Sequence, residues 1–260
     1  MAGTDKTRPS LTGGPAIILI EPQLGENIGA TARAMLNFGL TDLRLVRPRD
    51  GWPNPAAAAT AAGAVAVLEG AQVFSATEDA VAGLHHVLAV TARLRDSVKA
   101  VLTPREAGPL MRRWESVGEG VGMLFGPERA GLNNDDVALA DTVLTIPANP
   151  AFSSLNLGQA VLLLAHAWYQ SGSDMALAGP AAPTPPVEDF GPPATKDQLV
   201  SLFEHLEGEL DKVGFFLPAE RRKAMVRNLR NMIQRFRLTE LDASALRGII
   251  RALVGSKGQD

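Results

Sequence analysis

The chain has 260 residues, 46% of them hydrophobic and 20% charged, with a formal net charge of -3 at pH 7. That is the balance of an ordinary globular protein, long enough for one large domain or for a domain with a smaller companion. The absence of cysteine excludes a disulfide framework, thiolate catalysis and cysteine-ligated zinc, and no run reaches the roughly 18 apolar residues that a membrane span needs. With no signal-peptide core in the first fourteen residues either, a cytoplasmic location is expected.

Residues 1–14 read as an N-terminal tail. Between 15 and 170, short apolar runs at 16–20, 42–46, 86–90, 121–125 and 142–146 have the length of buried strands. Helices are predicted between them, over 27–38 (closed by Gly39), 55–68, 77–83 and 103–117. The last of these carries Thr103, Pro104 and Glu106 in the order of N-cap, first-turn proline and capping-box carboxylate. The segment "SLNLGQAVLLLAHAWY" (154–169) is apolar nearly all round, which places it deep against the sheet. Strands alternating with helices predict an α/β domain, a parallel sheet with helices on both faces.

Residues 171–195 are rich in proline and alanine, lose all periodicity and read as a linker. A small helical extension follows over 196–254, with helices near 196–213, 218–237 and 240–253. In the middle one Met225, Leu229, Met232, Ile233 and Phe236 form a stripe built to bury. Nine Lys or Arg against three acids lie between Ala219 and Arg251, Arg227 and Arg230 among them. Two readings stand for this basic run: a solvated helix face, or a surface for RNA phosphates.

In a parallel sheet the functional loops lie at the carboxyl ends of the strands. Here those loops are "EPQLGENIGATARAM", "TARLRD", "GPERAGLNNDD" and "PANPAFSSLNLG". The first resembles a glycine turn feeding a helix, as at phosphate sites, and its one basic residue, Arg33, falls on a face expected to be buried. No Walker sequence is present, and "GEGVG" at 118–122 precedes a strand instead of following one, which disfavours nucleoside triphosphate and dinucleotide readings. His85, His86, His166 and His205 show no metal-ligand spacing, and no metal is expected. Ser153 and Ser154 lack the G-x-S-x-G context of a hydrolase nucleophile.

Three of these segments, "ENIGATARAM", "FGPERAGL" and "IPANPAFSSLNLGQAV", resemble in order and spacing the three motifs of the SpoU branch of the SPOUT superfamily. Its members are S-adenosylmethionine-dependent RNA ribose 2′-O-methyltransferases. The C-terminal stretches "LFEHLEGELDKVGFF" and "LRNMIQRFRLTELDASALRGII" resemble the extension of those members that methylate nucleotide 32 of the tRNA anticodon loop.

The resemblance implies a deep trefoil knot, a homodimer, tRNA as partner and S-adenosylmethionine as cofactor. It implies a donor site made by Thr91, Ala92, Arg93, Gly126, Ile146, Ser153, Ser154 and Leu155, with the glycine letting backbone approach the ligand. Catalytic roles fall to Arg33, Asn27, Glu128, Ser154 and Asn156, and RNA contacts to Arg33, Arg95, Arg129, Arg227 and Arg230. Asn27 has an alternative role as helix cap, Asn156 as a tie for loop backbone, and Glu128 as a brace for Arg33 or Arg129. Another tRNA or ribosomal RNA ribose, or a noncatalytic RNA-binding protein, are the alternative functions.

Overall fold

The computed structural model describes residues 13–93, 99–178 and 191–255. Arg95, most of the N-terminal tail and the centre of the linker lie outside the described residues. In chain order the domain comprises β1 (Ala16–Ile20), α1 (Gly25–Asn37), β2 (Leu43–Val46), α2 (Pro55–Thr60), α3 (Val65–Glu69), β3 (Gln72–Phe74), α4 (Thr77–Val81), β4 (His86–Val90) and β5 (Ala100–Leu102). It continues with α5 (Pro104–Ser116), β6 (Val121–Phe125), α6 (Asn134–Leu139), β7 (Thr142–Leu144) and α7 (Leu157–Ala178). The extension holds α8 (Lys196–Lys212), a short 3-10 turn (Ala219–Arg221), α9 (Arg222–Gln234) and α10 (Glu240–Gly255).

Every strand pair is parallel, in the order β3-β2-β1-β6-β4-β7-β5. The five predicted strands are present. Two more, β3 and β5, form the sheet edges; each has three half-exposed or exposed residues, too short and too polar in setting to stand out in the sequence.

The strand period of two sorts the core. Ile17 and Leu19 face one layer with α1, α2, α3, α5 and α7, whereas Ala16, Ile18 and Ile20 face the other with α4 and α6. The helix predicted over 55–68 is broken into α2 and α3 because Ala62 and Gly63 take positive φ values of 48° and 96°. At α5 the Glu106 carboxylate accepts from both the Thr103 N–H and the Thr103 hydroxyl, each at 2.8 Å, closing the start as expected.

Two expectations need correction. The helix placed at 154–169 starts at Leu157 and runs to Ala178, so part of the supposed linker is helical. It is not buried all round: Leu157, Val161, Leu164, Ala165 and Trp168 face the core, but Leu162, Leu163 and Tyr169 are exposed. Likewise only Ile233 of the α9 stripe is buried; Leu229 packs at the edge of the extension's core, and Phe236 is 64% exposed.

The extension is fastened to the domain by polar contacts. Backbone N–H groups of Lys196 and Asp197 donate to the carbonyls of Leu84 (2.8 Å) and Ala82 (3.0 Å). The buried Lys196 ammonium pairs with Asp141, and Lys223 and Arg227 hold Asp135 of α6 at 2.8 and 3.3 Å. Lys99 donates to the α6-end carbonyls of Ala138 (3.2 Å) and Ala140 and to Gln234 Oε1 of α9 (2.9 Å).

Burial pushes the Lys99 ammonium down to about 8, with Asp141 opposing and Lys196 reinforcing the shift. The unfolded chain regains the ordinary value of 10.5, so below pH 8 both states are charged and the desolvation cost is full. As pH rises from 8 the folded state loses its proton first and the cost is relieved. Urea unfolding at pH 7.5 and 9.5 is therefore expected to show wild type gaining stability relative to Lys99→Met at the higher pH.

Gly29 supplies a second test. A Cβ there would stand 2.2 Å from the Ala57 carbonyl oxygen, because α2 packs directly on this face of α1. Helix propensity alone would favour alanine by about 1 kcal/mol. Overpacking against rigid backbone costs about 1–3 kcal/mol, so Gly29→Ala is expected to lower the urea midpoint.

Candidate active site

The loops after β4, β6 and β7 enclose a cavity of about 310 Å³ at the carboxyl edge of the sheet. All eight residues nominated for the donor line it: Thr91, Ala92, Arg93, Gly126, Ile146, Ser153, Ser154 and Leu155. Val90, Phe125, Ile146 and Leu157 give it an apolar lining, while Glu128 and Arg129 reach its wall. Its size and mixed lining suit a small ligand with one apolar and one polar end.

Gly126, a lining residue of the cavity, is also constrained by its own loop. A Cβ there would lie 2.2 Å from the Leu132 nitrogen and 2.3 Å from the Gly131 carbonyl carbon. The loop turns back on the glycine, with the Gly131 N–H donating to the Pro127 carbonyl at 2.7 Å and Gly131 at a φ of 67°. What demands glycine at 126 is the fold of its own loop.

The first motif does not cradle a phosphate with its glycines. Gly25 and Gly29 are contact points for α2: a Cβ on Gly25 would meet Asn54 Oδ1 at 2.3 Å. Asn27 is not a cap either, since the helix begins two residues earlier with Leu24 as its N-cap. Its side chain is instead the centre of a relay. Asn27 Nδ2 donates to Glu128 Oε1 at 2.8 Å, and Asn27 Oδ1 accepts from Asn156 Nδ2 at 2.8 Å.

Glu128 also accepts from the Gln23 N–H at 2.9 Å and the Leu24 N–H at 3.3 Å, placing its carboxylate at the positive end of α1. The expected brace for Arg33 or Arg129 is thus replaced by a clamp on the α1 entrance. Asn156 Oδ1 accepts from the N–H groups of Gly158 (2.9 Å) and Gln159 (3.4 Å), capping α7. The start of α1 thus meets two segments more than a hundred residues further on through two side-chain amides and one carboxylate.

Arg33 is exposed, contrary to the buried face expected for it. It lines a second cavity of about 300 Å³ between α1 and α7, together with Asn37, Asn156, Gln159 and Leu162. Asn156 lines this second cavity, while its chain neighbours Leu155 and Leu157 line the first. Arg129 and Arg93 are exposed at the first. In the extension Arg230 makes two bonds to Glu207, at 2.6 and 2.9 Å, and Arg227 is held by Asp135. The sequence reading missed these acidic partners, which lie one helix away and carry no spacing signal.

Among the described residues no group of three or more His, Asp or Glu side chains is arranged to hold a metal, and no helix is long and apolar enough to cross a membrane.

A search for relatives finds that residues 14–166 match the model of the SpoU rRNA Methylase family. The chain belongs to the SpoU family. Residues 197–260 match a second model, the C-terminal domain of the tRNA methyltransferase TrmJ. The tRNA (cytidine/uridine/adenosine-2'-O-)-methyltransferase TrmJ of Pseudomonas aeruginosa is 36% identical over 90% of this chain and 91% of its own. The tRNA (cytidine/uridine-2'-O-)-methyltransferase TrmJ of Cronobacter sakazakii is also 36% identical, over 94% of this chain and 97% of its own. The crystal structure of TrmJ from Z. mobilis superposes with a TM-score of 0.83 at 48% identity, covering 93% of this chain and 99% of that one.

SpoU methyltransferases take their methyl group from S-adenosylmethionine. The cavity fits that group: it offers apolar walls for an adenine and polar rims for an amino-acid end.

The relay predicts a graded outcome. Asn27→Ala removes both amide bonds and leaves Glu128 and Asn156 each short of a partner, a loss of about 1–3 kcal/mol. Asn27→Asp keeps the shape but sets a second carboxylate against Glu128. Both are expected to lower the unfolding midpoint and the methylation rate, with Asn27→Asp recovering as pH falls toward 5; urea melts and rate measurements across pH check this.

Proposed function

We propose that this chain transfers a methyl group from S-adenosylmethionine to a ribose 2′-hydroxyl of tRNA, at nucleotide 32 of the anticodon loop. The observation that carries the reading is the tie between the three motifs through the Asn156–Asn27–Glu128 relay, with residues of the second and third motifs lining one cavity. The match of 197–260 to the TrmJ C-terminal domain supports tRNA as the substrate. The names of the Pseudomonas and Cronobacter relatives span two pyrimidines and, in one case, a purine, so the target base is left open.

When bound, the donor supplies an electrophilic sulfonium methyl. The chain holds it with the loops at Thr91–Arg93, Gly126, Ile146 and Ser153–Leu155. Ser154 lines the first cavity and Asn156, two residues on, lines the Arg33 cavity, so a hydroxyl presented between them would lie between donor and guanidinium. Arginine does not release its proton near neutral pH and serves as a fixed cation. At about 4 Å and an effective dielectric near 20 it would favour the ribose alkoxide by roughly 4 kcal/mol, an upper bound. Exposed Arg33 reaches that bound only when RNA or another chain excludes water from it.

Two structural parts of the reading have support in the architecture. Strand β7 is inserted between β4 and β5 after the chain has crossed to β6, the kind of order that a threaded, trefoil-knotted C-terminal half requires. Leu162, Leu163 and Tyr169, exposed on α7 beside the Arg33 cavity, suit a homodimer surface that would desolvate Arg33.

Arg33→Lys keeps the charge and loses the fork. It is expected to bind S-adenosylhomocysteine like wild type by calorimetry and to methylate at least about tenfold more slowly; full-rate methylation removes the geometric role. Mapping of 2′-O-methyl groups in tRNA from cells with and without the gene tests the target: loss at nucleotide 32 is expected, and loss elsewhere alone refutes it.

A further inference from the structure

We infer that Phe152 is the stacking platform for the base of the nucleotide being methylated, an assignment that rests on the function proposed above. At 78% it is the most exposed large apolar side chain among the described residues. Its exposure is built into the backbone. The Ala151 N–H donates to Asn149 Oδ1 at 3.0 Å and the Phe152 N–H to the Asn149 carbonyl at 2.8 Å, with Pro150 stiffening the turn between them.

Position explains why an aromatic ring is set out there. Phe152 directly precedes Ser153 and Ser154, which line the donor cavity, so its backbone joins the cavity's lining. Arg93 and Arg129 are exposed residues of the same cavity and form no ion pair with another described residue. An exposed aromatic ring next in sequence to a cavity lined by two guanidinium groups suits an unstacked nucleotide, the ring for the base and the cations for its phosphates.

The chemistry of the substrate fixes which base that is. A ribose base hangs from C1′, the neighbour of the C2′ that bears the reacting hydroxyl. With the hydroxyl at the cavity, its own base must come to rest at the rim. Stacking uses the π-face common to every base, which suits a target whose identity is not restricted to one base, whereas hydrogen-bond readout would select a single one.

The test uses the full-length protein and tRNA transcripts carrying cytidine, uridine or adenosine at nucleotide 32. Single-turnover methylation is followed for wild type, Phe152→Ala, Phe152→Leu, Phe152→Tyr and Phe152→Trp, with S-adenosylhomocysteine affinity measured on each by calorimetry. Stacking on one base is worth about 5- to 150-fold. Phe152→Ala and Phe152→Leu are expected to lose at least about tenfold in kcat/KM on every transcript that wild type accepts. The two aromatic variants are expected to stay within about threefold, with donor-product affinity unchanged throughout.

Leucine matching wild type would assign the position to apolar packing and overturn the inference. So would a rate loss that tracks loss of S-adenosylhomocysteine binding. Wild type that binds S-adenosylhomocysteine but methylates no transcript removes the functional reading itself, and the stacking role with it.

Discussion

The active-site region depends on one carboxylate. Glu128 sits at the positive end of α1, accepting two backbone N–H groups and the Asn27 amide, and through Asn27 it is bonded to Asn156. A carboxylate in that place satisfies the N–H groups of Leu24, the N-cap, and of Gln23 before it, and the helix dipole favours its negative charge. It also fixes the distance between the loop after β6, the start of α1 and the start of α7. Members of this junction line both cavities, Glu128 the first and Asn156 the one that holds Arg33.

Close packing of backbones makes the junction possible. Gly25 and Gly29 let α2 lie on α1, Gly158 brings α7 within 2.9 Å of an Ala30 methyl by the position its Cβ would take, and Gly126 lets its loop double back. None of these four glycines has a left-handed backbone; they are absent side chains where another segment already occupies the space. The result is a junction whose polar groups are held by short bonds between packed elements, which limits the motion available to the loops around the first cavity.

The extension is joined to this site through α6. Lys223 and Arg227 grip its first turn, Lys99 its last carbonyls, and Lys196 the following Asp141. Much of the positive charge that the sequence concentrates in α9 is therefore committed to acids of the chain itself. A buried lysine is costly unless paired, and the sequence places Lys99 and Lys196 where helix-end carbonyls and Asp141 provide for them. Charge counting along one helix could not separate such internal pairs from a surface that meets RNA, because the partners come from distant segments.

What the sequence determined by itself follows from local rules. Short apolar runs marked five of the strands, capping chemistry marked the start of α5, and the family resemblance named eight residues that all line the first cavity. Only tertiary structure decided the rest. It decided that Asn27 bridges Glu128 and Asn156 instead of capping a helix, since that choice depends on segments a hundred residues apart. It decided that Arg33 is exposed on a second cavity, because the face a helix buries is set by what packs on it. And it decided that Gly126 serves its own loop, since a missing Cβ has meaning only once the atoms that would have met it are in place.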